Sequence, residues 1–219
     1  MCLLASCGRV PEGKTGSLTG RQAEEPVLRF DIARQAEEPV LPSPSPSTFS
    51  DARERGLPED GLLLVVDTAT QSAGLHARGA FVVGYKVSTS KFGTGNAAGS
   101  NKTPLGWHRV ATRFGEGQEP GTSFTSRQPD GEVLPKSEWS SDKAKDYILT
   151  RVLWLTGLEP GVNSGRGIDS YERYIYLYGT NQEHLLGQPA SQGCIRFSNR
   201  DILDIFLISK DVEFYVLIK

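Results

Sequence analysis

Cysteine, histidine, methionine and net charge are all scarce in this 219-residue chain. The three cysteines, Cys2, Cys7 and Cys194, cannot form a framework of several disulfides. With 24 basic against 26 acidic residues, the formal charge of −2 gives no electrostatic reason to expect nucleic acid or an anionic membrane surface as partner. No apolar run approaches the roughly 18 residues of a spanning helix, so no transmembrane segment is expected. What is present suffices for a core: 9 Phe, 7 Tyr and 3 Trp accompany a hydrophobic share of 37%, which excludes a wholly disordered chain.

The composition shifts near residue 60. Residues 1–60 carry the duplicated octapeptide RQAEEPVL, at Arg21–Leu28 and Arg34–Leu41, followed by the PSPSPS run of Pro42–Ser47. Two copies at so short a period cannot bury a shared core, so this stretch reads as a flexible Pro-rich tether and residues 61–219 as the folded domain. Leu4-Ala5-Ser6-Cys7 has the small-residue pattern that precedes a lipid-modified cysteine, but no basic or apolar leader stands before it. If the true start lies upstream, an acylated Cys7 would tether the domain to a membrane.

From Gly61 onward the signals are mainly β. Leu62–Asp67 (LLLVVD) and Ala80–Val87 (AFVVGYKV) read as a hairpin, with Ala73-Gly74 and Arg78-Gly79 marking the turn between them. Trp107–Phe114, Tyr147–Leu155, Tyr174–Tyr178 and Val212–Ile218 add strands. One helix begins at a Ser198 or Asn199 cap and buries Ile202, Leu203, Ile205 and Phe206, and a shorter turn covers Gln182–Leu186. The pattern predicts a β-sandwich with one or two short helices. Two long Gly-rich loops remain, Ser88–Gly106 and Gly115–Glu138, whose glycines match no phosphate-cradling motif.

The chemistry concentrates in Tyr174–Asn199 (YIYLYGTNQEHLLGQPASQGCIRFSN). A glycine directly before Cys194 permits a sharp turn that frees successive amides to converge on one point, as an oxyanion hole requires. Arg196 adds positive charge that favours a thiolate or a substrate carboxylate. A buried structural cysteine is the alternative.

This segment resembles the signature of the L,D-transpeptidases, the YkuD-type cysteine enzymes of bacterial cell-wall assembly. The family pattern places His-Gly-Thr at a strand end and Ser-His-Gly-Cys, an apolar residue and Arg further on. Here the matching residues are Tyr178-Gly179-Thr180 and Ser191-Gln192-Gly193-Cys194-Ile195-Arg196. Asn101-Lys102-Thr103-Pro104-Leu105-Gly106 is similar to the family's Thr-Pro-x-Gly turn. The resemblance implies acyl transfer without a cofactor, in which the cysteine takes a peptidoglycan stem tetrapeptide as a thioester and passes it to an amine or water. It implies Cys194 as nucleophile, Gly193 and Cys194 amides as oxyanion donors, and Ser191, Gln192, Arg196, Gly179 and Thr180 around the substrate. It also implies a cell-envelope, periplasmic location and carbapenem-type inhibitors.

Both family histidines are replaced, by Tyr178 and Gln192. A phenol is about 0.1% ionised at pH 7 and makes a poor general base, and an unshifted thiol is only about 3% thiolate. Tyr178 then has a hydrogen-bonding role, or activity is weakened and the chain binds stem peptides without turning them over. Of the histidines, His76 is expected in solvent, His108 in a structural place, and His184 near the groove.

Overall fold

The computed structural model describes residues 45–141 and 145–219; Cys2, Cys7 and both octapeptides lie outside the described residues. These residues form helices α1 (Pro46–Glu54) and α2 (Asn199–Ile208) and ten strands: β1 (Leu62–Asp67), β2 (Ser72–Ala77), β3 (Ala80–Lys86), β4 (Gly106–Phe114), β5 (Thr122–Thr125), β6 (Gln128–Val133), β7 (Ile148–Gly157), β8 (Tyr176–Thr180), β9 (Ile195–Phe197) and β10 (Phe214–Ile218). The apolar run of β1 is continuous because both its faces are covered. Leu62, Leu64 and Val66 enter the main core, while Leu63 and Val65 meet Ala52, Leu57, Trp107 and Tyr215 on the opposite side.

Strand order is β3-β2-β1-β10-β4-β7-β5-β6, with β8 on the other edge of β7 and β9 on β8. The pairs β1–β10 and β8–β9 are parallel. Beyond β3 the chain returns to β9 through a bridge between Ser88 and Arg196, in which each amide donates to the other's carbonyl at 3.0 and 2.9 Å. The mainly β sandwich is thus one sheet folded over on itself. Its main core runs from Leu75 and Tyr85 through Leu153 and Leu177 to Phe197, and α2 plugs it with Ile202, Ile205 and Phe206. At roughly 25 cal/mol per Å², burying each such side chain contributes about 1.5–3 kcal/mol.

The α2 start matches its sequence signal: Ser198 Oγ accepts from the Asp201 amide at 3.0 Å. Three elements differ from the sequence reading. Residues Ser72–Ala77 form β2, making the expected hairpin a three-stranded meander; the small residues Ala73 and Gly74 fit because β2 lies between β1 and β3. The expected loop Gly115–Glu138 contains the β5–β6 hairpin, whose outer strand is exposed at all six positions and so shows no alternation. Residues expected at the end of the tether form α1, and Ala52 and Leu57 are buried against β1. Among the described residues no helix is long and apolar enough to cross a membrane.

Candidate active site

Strand periodicity assigns the faces of the site. On β8, Leu177 enters the main core while Tyr176 and Tyr178 point to the opposite face. On β9, Ile195 and Phe197 enter the core, so Cys194 and Arg196 share the face of the two tyrosines. There Cys194 packs, half-buried, against a cluster of Phe124, Val152, Trp154, Tyr176 and Tyr178.

The thiol is held by two backbone groups of the β8 lead-in. Cys194 Sγ donates to the Tyr174 carbonyl at 3.3 Å and accepts from the Tyr176 amide at 3.4 Å. Tyr174 has φ +57°, a left-handed conformation costly for a bulky residue, which turns its carbonyl onto the sulfur. Gly193 has φ +124°, where a side chain is strained, and its carbonyl accepts from Thr103 Oγ1 at 3.0 Å. Burial pushes the Cys194 thiol up to about 11; the Tyr176 amide and the charges of Arg196 and Arg173 oppose it without prevailing.

Arg196 does not open onto a groove as expected. Its side chain is 3% exposed, and it donates Nε to the Tyr178 hydroxyl at 3.1 Å, one terminal nitrogen to Gln182 Oε1 at 3.0 Å and the other to Asp146. Burial is also the leading cause of the raised Tyr178 and Asp146 pKa values, and Asp146's negative charge adds to the Tyr178 shift. A tyrosine so placed is a hydrogen-bonding partner for arginine and no base. Asp146 and Gln182 carry no motif; a buried arginine in need of partners was the only signal for them.

The remaining expected site residues divide. Gln192 is exposed and lines a cavity of about 350 Å³ together with Asn101, Asp169, Glu172, Arg173 and Tyr174. Ser191 is fully buried and closes the turn: its hydroxyl donates to the Cys194 carbonyl at 2.6 Å and accepts from the Gly193 amide at 3.2 Å. One expected oxyanion donor is therefore engaged, while no acceptor faces the Cys194 amide among the described residues. Gly179 and Thr180 do not reach the cavity. A Cβ on Gly179 would stand 2.6 Å from Asn199 Oδ1, and the Thr180 carbonyl accepts from Asn199 Nδ2 at 2.7 Å, so both lie in the β8–α2 contact.

None of the three histidines is hydrogen bonded to Cys194. His76, expected in solvent, is 2% exposed because α1 covers it: its ring lies between Phe49 and Phe81, with centroids at 5.7 and 5.5 Å. His108 is structural, with Nδ1 3.0 Å from the Gly106 carbonyl and Nε2 2.9 Å from Ser170 Oγ. His184 is exposed on a 3-10 turn, Glu183–Leu185. The sequence reading missed Arg173, whose guanidinium donates to the Gly95 and Lys102 carbonyls at 3.2 and 2.6 Å and fastens the loop before β4 beside Gly193.

No curated protein matches the chain. Among solved structures, L,D-transpeptidase 3 from Mycobacterium tuberculosis, in complex with a faropenem-derived adduct, is 14% identical at a TM-score of 0.42, over 73% of this chain and 60% of that one. The L,D-transpeptidase (residues 123–326) from Xylanimonas cellulosilytica is 18% identical at 0.42, over 80% and 70%. The helical cell shape determining protein Pgp2 from Campylobacter jejuni is 15% identical at 0.39, over 76% and 53%. The chain spans about three-fifths of the length of the M. tuberculosis structure. A sequence model of the YkuD L,D-transpeptidase catalytic domain matches residues 61–212, more than half of the chain and every residue from β1 through α2, and on that match the chain belongs to the YkuD family of L,D-transpeptidase catalytic domains.

Proposed function

We propose that this chain is a cell-envelope acyl transferase in which Cys194 takes the acyl group of a peptidoglycan stem tetrapeptide. The sulfur attacks the carbonyl of the third residue, the bond to the terminal D-alanine nitrogen breaks, and the thiol proton leaves on the amine. An amine of a second stem, a free D-amino acid or water then takes the acyl group and restores the thiol. The observation that carries this reading is the seating of the thiol: Sγ is fixed between the Tyr174 carbonyl and the Tyr176 amide, after a glycine at φ +124°, and Tyr174 and Gln192 line a cavity of about 350 Å³. The Cys194 amide supplies one oxyanion donor. A periplasmic location follows from the substrate, and acylation at Cys7 would hold the domain to the membrane.

Incubation with a carbapenem followed by intact-mass measurement tests the nucleophile. A slow adduct of one inhibitor per chain is expected, absent in Cys194→Ala. No adduct after prolonged exposure overturns the enzymatic reading. That outcome would favour a second reading, a stem-peptide binding module, for which the specific support is that among the described residues no base is hydrogen bonded to a thiol pushed up to about 11. Calorimetric binding of a stem tetrapeptide with no adduct would establish it.

A further inference from the structure

The β5–β6 hairpin turns through Ser126 and Arg127, at φ +50° and +69°. A two-residue turn with both centres left-handed usually takes Asn or Gly, so two ordinary side chains there carry strain. The turn sets the Arg127 guanidinium 4.7 Å from the Trp154 ring centroid and 5.2 Å from that of Tyr174, and Arg127 donates to the Tyr176 hydroxyl at 3.2 Å. Trp154 is stacked in turn on Tyr171, with centroids 3.8 Å apart. Tyr174 and Tyr176 are the two residues whose backbone groups hold Cys194 Sγ. The cation therefore rests on the side chains of the residues that position the thiol.

It has no counter-ion among the described residues. In its own hairpin, Asp130 Oδ2 accepts from the Ser123 and Thr125 hydroxyls at 2.9 and 3.0 Å, and Glu132 accepts from Tyr147 Oη at 3.1 Å and pairs with Lys145. Glu116 pairs with Lys210. The other arginines of the site are committed, Arg196 to Asp146 and Arg173 to two carbonyls. A guanidinium stacked on aromatic rings keeps its in-plane N–H edge for a bidentate acceptor, which a lysine in the same place does not offer.

We propose that Arg127 is the carboxylate receptor of the acyl-donor site, pairing with a carboxylate of the peptide whose scissile carbonyl lies at Cys194. This rests on the proposed function and gives it a specificity residue.

The test is calorimetric binding to the full chain, with a synthetic stem tetrapeptide bearing meso-diaminopimelate at position three and a terminal D-alanine, and with the same peptide amidated at each carboxylate in turn. Wild-type protein is expected to bind one amide at least tenfold more weakly than the parent peptide. Arg127→Met is expected to bind the parent at least tenfold more weakly and to show no further loss with that amide, which identifies the carboxylate recognised. Arg127→Lys, which keeps the charge, recovers part of the affinity, and its thermal midpoint serves as the folding control. Equal wild-type affinity for parent and every amide, or equal losses for all peptides in Arg127→Met, overturns the assignment and leaves the proposed function standing. Failure of the wild type to bind any peptide, with no carbapenem adduct, overturns both.

Discussion

Arg196 Nε donates to the Tyr178 hydroxyl at 3.1 Å, across a parallel register that sets the two residues directly opposite on β9 and β8. The same guanidinium holds Asp146 and Gln182, so four side chains from four segments form one network behind Cys194. Tyr178 stands where the family's strand-end histidine is expected, but its oxygen serves the arginine.

Tyr178→Phe therefore leaves the rate of carbapenem acylation at Cys194 within about threefold of wild type, while removing a hydrogen bond to a buried cation and lowering stability by about 1–3 kcal/mol. Intact-mass time courses and urea unfolding measure the two effects. Tyr178→His supplies an imidazole beside the thiol and raises the acylation rate at least about tenfold, within the range general bases contribute. A tenfold fall in Tyr178→Phe would show that the phenol acts directly on the reaction.

The pH dependence of acylation follows from the thiol. Under the proposed function the thiolate is the nucleophile, and because burial pushes Cys194 up to about 11 that form is minor throughout the neutral range. The rate is expected to climb about tenfold per pH unit from pH 6 to pH 10 without levelling. A plateau near pH 7–8 would mean that substrate binding or an unseen partner lowers the thiol's pKa.

The strands that could be read from sequence are those in which packing and pattern agree. β1, β7 and β10 carry dense apolar runs because each is buried on both faces or nearly so. The α2 cap was readable because Ser198 and Asp201 act within one turn. β2 escaped because Ser72-Ala73-Gly74 has neither β-branched residues nor alternation, and only the flanking strands make it a strand. Within the site, Cys194 and Gly193 are local features. The ion pair of Arg196 with Asp146 spans 50 positions, and the Arg127–Trp154–Tyr174 stack joins three segments through folding alone. The resemblance implies Gly179 and Thr180 at the substrate, yet Gly179 backs directly onto the Asn199 side chain and the Thr180 carbonyl accepts from it, so both serve the β8–α2 contact.

Two glycine substitutions separate scaffold from cradle. Gly179→Ala puts a Cβ 2.6 Å from Asn199 Oδ1 and 2.9 Å from the Leu149 carbonyl, both fixed, and is expected to destabilise by about 1–3 kcal/mol. Gly193→Ala has ordinary space, with the Lys102 carbonyl at 3.4 Å, but φ +124° strains it and shifts the Cys194 amide. Under native conditions Gly179→Ala should retain acylation within about threefold, whereas Gly193→Ala should lose at least about tenfold. Equal rate losses in two folded variants would return Gly179 to the substrate site.

His108 is expected to contribute to the acid sensitivity of the fold. Burial lowers its pKa from the ordinary 6.5 to about 4, the Gly106 carbonyl and Glu159 opposing only in part. The neutral ring donates Nδ1–H to Gly106 and accepts at Nε2 from Ser170, and a proton on Nε2 would face the Asn163 amide at 3.5 Å. A folded pKa below the unfolded one means that the unfolded chain binds the proton first, so this stabilisation is complete above about pH 6.5 and falls away as pH drops towards 4. One pKa unit is worth about 1.4 kcal/mol, so the loss across that window is about 3 kcal/mol from this residue. His76, lowered by burial as well, adds in the same direction. Urea unfolding at pH 7 and pH 4.5 measures the slope, which His108→Gln should flatten while lowering stability at pH 7. If the slope is unchanged in His108→Gln, the acid sensitivity lies with His76 or the carboxylates instead.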